Sequence, residues 1–156
     1  MSSFADEVQA LKQRYPDWRS ATLPALRLAQ ERHGYLSPDA LRETADALGT
    51  TPAFCESVAS FYDMFHLAPV GRHMVEVCTN LPCALAGAQS VVDAFADEIG
   101  VAPGETTDDG EITFRTVECL GGCDRATVVA VDERYHELVT PEKVPGIVEG
   151  VRGHRS

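Results

Sequence analysis

Basic residues are scarce in this 156-residue chain: 13 Lys and Arg stand against 24 Asp and Glu, a formal net charge of −11. So acidic a surface argues against phosphate backbones and anionic membranes as partners, and is the ordinary means of keeping a protein soluble. Any docking partner is expected to present basic residues instead. Apolar runs long enough to cross a bilayer are missing, and no charged stretch followed by an apolar one marks a secretory leader. The expectation is a protein of the reducing cytoplasm with no direct membrane insertion, where structural disulfides are rare. Phosphate loops and the G-x-G-x-x-G turn are lacking, so no nucleotide site is readable. The five histidines, His33, His66, His73, His136 and His154, are scattered and read as surface or packing residues. No Ser/His/Asp set is suggested by spacing, and the carboxylates read as a solvated surface. No internal repeat or low-complexity stretch occurs. Apolar content of 44% still supplies an ordinary core.

What the chain does carry is four cysteines in two close pairs, Cys78-x4-Cys83 and Cys119-x3-Cys123, separated by 35 residues. Four thiolates in two pairs suit a two-iron, two-sulfide cluster, in which each tetrahedral iron takes two sulfides and two protein sulfurs. Each loop then serves one iron, and the loops need only meet in space. A structural zinc site also uses four cysteines, but usually at tighter C-x2-C spacing. No C-x-x-C is present for dithiol redox chemistry, and five cysteines is an odd number for disulfides. A Rieske-type centre is excluded, because no cysteine has histidine partners. Spacing alone favours iron–sulfur and leaves a structural zinc-binding assembly module open. The fifth cysteine, Cys55, reads as a small buried residue. With a redox centre and no visible substrate site, the chain reads as an electron carrier. It would be part of an enzyme only through a partner.

Two segments differ in periodicity, which sets the expected domains at 1–70, helical, and 71–156. In the first, Ser20 or Thr22 is expected to cap a helix ending at Gly34. Ser37-Pro38 opens a second helix that stops at Gly49, and Thr51-Pro52 opens a third. Phe54, Val58, Phe61 and Phe65 would share one face of that third helix. The aromatic run Phe61–Phe65 suits either packing within the segment or a surface that meets another protein. Pro69-Val70-Gly71 reads as the hinge. Beyond it, Met74, Val75 and Val77 predict a strand ending at Cys78. A helix is predicted from about Leu81 to Ile99, with Asn80 as cap and Pro82 in the first turn. Gly100–Gly110 reads as a turn-rich loop. A strand over Ile112–Val117 leads to Cys119. Thr127–Val131 and Tyr135–Val139 form a hairpin through Asp132-Glu133-Arg134, and Thr140-Pro141 opens a last helix. The order strand, helix, strand, hairpin, helix is that of an α+β (α/β) thioredoxin-like arrangement.

Both cysteine pairs follow predicted strand ends, where open α/β sheets place their sites. Cys83 falls in the first turn of a helix, where free N–H groups are expected to stabilise its thiolate. Gly121-Gly122 lets the backbone curl with N–H groups turned toward sulfur. Gly87 suggests a close backbone approach or simple helix–sheet packing.

The fuller motifs are Val58-Ala59-Ser60-Phe61-Tyr62-Asp63-Met64-Phe65, Val77-Cys78-Thr79-Asn80-Leu81-Pro82-Cys83 and Val117-Glu118-Cys119-Leu120-Gly121-Gly122-Cys123-Asp124. With Pro69-Val70-Gly71-Arg72 and Asp109-Gly110, these resemble the thioredoxin-like 2Fe-2S ferredoxin subunit of NADH–quinone oxidoreductase (respiratory complex I). That family is shared with the gamma subunit of NAD-dependent formate dehydrogenases and the diaphorase subunit of NAD-linked hydrogenases. The resemblance covers nearly all of the chain. It implies one 2Fe-2S cluster with Cys78, Cys83, Cys119 and Cys123 as cofactor-binding metal ligands, and no catalytic residue on this chain. It also implies a flavoprotein partner carrying FMN, NAD(H) and a further iron–sulfur cluster, in the peripheral arm on the cytoplasmic side of the membrane. One departure stands out. Family members commonly have proline after the alanine beyond the last ligand loop, whereas Ala126 is followed here by Thr127. A proline there would help fix the turn into the next strand.

Overall fold

Short polar residues open most of the helices in the computed structural model, which describes residues 3–153; His154 lies outside that range. The chain divides into two compact units, Met1–Pro69 and Val70–Ser156.

The first unit is helical: α1 Phe4–Lys12, α2 Thr22–His33, α3 Pro38–Leu48 and α4 Pro52–Ala59. Ser3 and Asp6 form a reciprocal capping box on α1, and Ser37 and Thr51 cap α3 and α4 with proline directly behind each. The expected cap of α2 is different. Ala21 occupies the cap position without a side-chain bond, Thr22 is already helical, and a 3-10 turn over Trp18–Ala21 leads in. Helices α2 and α3 stop at Gly34 and Gly49, both left-handed. Val8, Leu26, Leu36, Leu41, Leu48 and Phe65 lie in one buried core. Gln30 Nε2 donates to the Met64 carbonyl at 2.9 Å, and its Oε1 accepts the His66 N–H at 2.7 Å, so α2 holds the segment after α4.

Helix α4, the one opened by Thr51-Pro52, is shorter than its periodicity predicts. It ends at Ala59, so Phe61 and Phe65 do not continue its face. Phe65 enters the core, whereas Phe61 is 79% exposed and Met64 56%. Edge-to-face contacts at 5.1 and 6.5 Å link Phe61, Tyr62 and Phe65 in series. The eleven-residue spacing imitates a helical stripe although the backbone has left the helix.

The second unit is a five-stranded mixed sheet with β1 His73–Cys78, β2 Glu105–Thr106, β3 Ile112–Val117, β4 Val129–Val131 and β5 Arg134–His136, ordered β2-β3-β1-β4-β5. β1 and β3 run parallel, with Cys78 opposite Val117, and β4 lies antiparallel on the other side of β1. The predicted helix after Cys78 is broken into α5 Leu81–Leu85 and α6 Ala88–Ile99. Gly87 makes the break at φ +95°, and a Cβ there would meet nothing within 4 Å. Its role is conformational, neither close approach nor packing. Phe95 of α6 meets Phe114 of β3 with centroids 5.9 Å apart in a core that also takes Val75, Val77 and Val129. Helix α7, Val144–Gly153, adds Val144 and Val148 after a 3-10 turn at Pro141–Lys143. The two-residue β2, inside the expected loop, pairs with β3. Asp132 and Glu133 turn the β4–β5 hairpin at φ +48° and +68°. Asp132 holds that turn to β1, accepting the Met74 N–H at 2.8 Å while its other oxygen meets His73 Nδ1 at 2.6 Å.

Cys55 is fully buried in the helical core, and burial pushes its thiol from the ordinary 9.0 up to about 11. The folded value lies above the unfolded one, so this contribution to stability is complete below pH 9 and lost as pH rises toward 11. Trp18, the single tryptophan, packs edge-on against Phe54 at 5.6 Å and reports on this unit. Followed by Trp18 fluorescence, the free energy of unfolding is expected to fall across that window by on the order of 2 kcal/mol more in the wild type than in Cys55→Ala. Parallel curves for the two proteins would rule this out.

Candidate metal centre

The parallel register of β1 and β3 delivers both cysteine pairs to one end of the sheet. Cys78 is the last residue of β1, and Thr79 N–H donates to the carbonyl of Val117, the last residue of β3, at 3.0 Å. The two ligand-bearing loops thus leave from the same level. Asn80 accepts from the Leu81 N–H at 2.8 Å and starts α5, in which Cys83 is the third residue. After β3, Cys119 and Cys123 bracket a loop in which Gly121 is left-handed at φ +78°. From the other side of β1, the Val128 carbonyl accepts the Cys78 N–H at 3.1 Å.

All five cysteines are free thiols. Cys78 and Cys83 are 3% and 2% exposed, while Cys119 and Cys123 lie open to solvent. Cys78 Sγ donates to the Glu118 carbonyl at 3.8 Å; Cys83 interacts electrostatically with Cys78, Cys123 with Cys119, and Cys123 with both inner thiols. The two cysteine pairs thus lie near enough for Cys123 of the outer pair to interact with the inner pair. Among the described residues no three His, Cys, Asp or Glu side chains are grouped around one metal-ion position. Cys55 belongs to the helical unit's core and not to this group.

Backbone groups bear on the sulfurs. Gly121 N–H points at Cys119 Sγ at 3.3 Å, as the double glycine suggested, and the Val128 backbone favours the Cys83 thiolate electrostatically. Around Cys83, burial outweighs the backbone groups that favour a thiolate. Burial, the largest cause, pushes this thiol up together with the neighbouring Cys78, and the Val128 backbone only partly opposes them. Desolvation and the Cys119 and Cys78 thiols raise Cys123 as well. Without a metal these sulfurs hold their protons, and a metal must displace them. The donor set fits a sulfur-bound iron centre: paired thiols, backbone groups that bear on sulfur, and Leu120, Ala126, Ala88 and Val128 forming an apolar bed with Cys78 and Cys83.

Gly122 has a packing reason of its own. A Cβ there would lie 2.9 Å from Val128 Cγ2. Thr127 follows a cis Ala126–Thr127 peptide, is buried, and places its Oγ1 3.5 Å from the Cys83 carbonyl. Val128 was invisible to sequence reasoning. It lies just before β4, and the pairing of β4 with β1 brings it against Cys78, Cys83 and Gly122. The described histidines stay outside the group; His33 pairs with Glu43 at 2.9 Å, His73 with Asp132, and burial lowers His136.

A thioredoxin-like sheet with two cysteine pairs at one end is the framework of a small iron–sulfur protein. A sequence model of the thioredoxin-like [2Fe-2S] ferredoxins matches residues 8–152, and the chain belongs to that family. It is 39% identical over 147 residues to an NADH-quinone oxidoreductase subunit of Rhizobium meliloti, covering 94% of this chain and 88% of that one. It is 37% identical over 158 residues to NADH-quinone oxidoreductase subunit 2 of Thermus thermophilus, covering 97% and 87%. An NADH-quinone oxidoreductase subunit of Mycobacterium tuberculosis is 44% identical over 139 residues, which are 89% of this chain but 55% of that longer protein. An NAD+-reducing [NiFe]-hydrogenase in the H2-reduced state shares the fold, with TM-score 0.74 at 20% identity over 84% of this chain and 23% of its own.

The contact between Gly122 and Val128 yields a double-mutant test. Gly122→Ala is expected to cost about 1–3 kcal/mol of unfolding free energy in the wild type by overpacking, and much less in a Val128→Ala background. Equal costs in both backgrounds, measured by urea denaturation of the apo-protein, would place the strain elsewhere.

Proposed function

We propose that this chain is the 2Fe-2S electron-transfer subunit of an NADH-quinone oxidoreductase. The observation that carries the reading is the membership of the thioredoxin-like [2Fe-2S] ferredoxins together with two thiol pairs at one end of the sheet. Cys78 and Cys83 hold one iron, and Cys119 and Cys123 the other. Such a cluster, when bound, takes up and gives back one electron at a time. The chain's own residues do the rest. The four thiols release their protons and present thiolates, the Gly121 N–H and the Val128 backbone offset the negative charge on two of them, and Leu120, Ala126 and Val128 limit water. No substrate is turned over here. FMN and NAD(H) sit on a partner flavoprotein, which performs the hydride chemistry, and further iron–sulfur proteins complete the peripheral, cytoplasm-facing arm. The names of the relatives support this assignment. The exposed Phe61 and Met64 support a docking surface on the helical unit. No helix of the described residues is long and apolar enough to cross a membrane.

The test is an anaerobic preparation assayed for iron, sulfide and zinc, with EPR before and after dithionite. Two irons, two sulfides and a rhombic signal present only after reduction are expected. Serine at Cys78, Cys83, Cys119 or Cys123 should lose or strongly perturb that signal, and Cys55→Ser should keep it. One zinc without sulfide, even after attempted reconstitution, would make this a structural module; loss of the signal in Cys55→Ser would overturn the ligand set.

A further inference from the structure

The exposed cysteine pair depends on a loop with few ties of its own. Between Cys119 and Ala126 the internal bonds are short-range: Gly121 N–H to Cys119 Sγ at 3.3 Å and Arg125 N–H to the Gly122 carbonyl at 2.9 Å. Besides the packing of Leu120 and Ala126 and the Thr127 Oγ1 contact with the Cys83 carbonyl, the loop is fastened to the sheet unit by the segment just after β5. Leu138 N–H donates to the Arg125 carbonyl at 2.9 Å, and Val139 N–H to the Thr127 carbonyl at 3.0 Å. Arg125 Nε donates to Glu137 Oε2 at 2.8 Å. Lys143 Nζ donates to the Leu138 carbonyl at 2.8 Å and secures the segment from behind. Leu138 adopts φ +50°, a conformation leucine rarely takes, so its surroundings and not its own preference hold it there.

Arg125 is therefore tied twice to residues 137–139, once by its carbonyl and once by its guanidinium, and it closes the 3-10 turn that begins at Cys123. We propose that Arg125 is a positioning residue for Cys119 and Cys123, its ion pair with Glu137 latching the outer ligand loop to the segment after β5. The proposal rests on the reading of the four cysteines as cluster ligands. Arg125 acts through the backbone of residues 123–127 and takes no electron itself. Both partners are about half exposed, at 54% and 44%, so the latch has a modest effect, about two- to fivefold on cluster retention.

The experiment uses the full chain, reconstituted anaerobically, as wild type, Arg125→Gln, Glu137→Gln and the charge-reversed pair Arg125→Glu/Glu137→Arg. Cluster loss to excess iron chelator is followed by visible absorbance, and the EPR spectrum of the reduced protein is recorded. The latch predicts that both single variants lose the cluster about two- to fivefold faster and broaden the EPR signal, and that charge reversal restores rate and spectrum. A purely electrostatic role predicts opposite effects instead, faster loss in Arg125→Gln and slower loss in Glu137→Gln, and that result overturns the proposal. So do single variants that match the wild type, or a reversed pair as labile as the singles. Far-UV circular dichroism of each apo-protein separates these effects from misfolding. A wild type that takes up no iron and sulfide would overturn the cluster reading and the latch with it. A loaded wild type with indifferent variants overturns the latch alone.

Discussion

The parallel pairing of β1 with β3 is the constraint from which the site follows. Their register sets Cys78 opposite Val117, so the loops after both strands begin level at one end of the sheet. A slip of one residue would turn each side chain of a strand to the other face. Val75 and Val77 would leave the core, and so would the Phe114 contact with Phe95. Burial of those side chains therefore enforces the geometry of the thiols. β4 completes the arrangement from the other edge of β1, since antiparallel pairing of Val77 with Val129 carries Val128 to the backbone of Cys78.

This placement makes the two pairs chemically unequal. Cys78 and Cys83 are enclosed at a strand end and in a short helix, while Cys119 and Cys123 sit on an open loop. Burial holds the proton on Cys83, and desolvation with crowding by other thiols does so on Cys123, so loading with metal is coupled to proton release. The inner pair is secured by elements that the core already requires. The outer pair relies on glycine geometry and on bonds from residues 137–139. An electron-transfer centre suits such a division, because one side must be rigid and dry and the other must be reachable.

The helical unit has its own logic. Its helices are set by caps and glycine stops, and its core takes Cys55 as a small apolar residue. The aromatic segment after α4 is split between inside and outside, with Phe65 in the core and Phe61 in solvent. Internal packing, one of the two readings open to that segment, thus holds for Phe65 and not for Phe61.

Strands β1 and β3, the α3 and α4 caps and the cysteine pairs at the strand ends were legible in the sequence, because each rests on local signals: alternation, Ser-Pro and Thr-Pro starts, and cysteine spacing. Errors arose where a local pattern outran the backbone. Phe61 and Phe65 kept a helical spacing beyond Ala59, and apolar periodicity ran through Gly87 although its left-handed φ splits α5 from α6. The sequence by itself determined which sulfurs are available and that they come in pairs, since ligand type and spacing are properties of the chain. Only the tertiary structure decided which pair is buried, which thiols resist losing a proton, and that Val128 and residues 137–139 support the site. Those depend on solvent exclusion and on hydrogen bonds between segments distant in sequence, which no local pattern encodes.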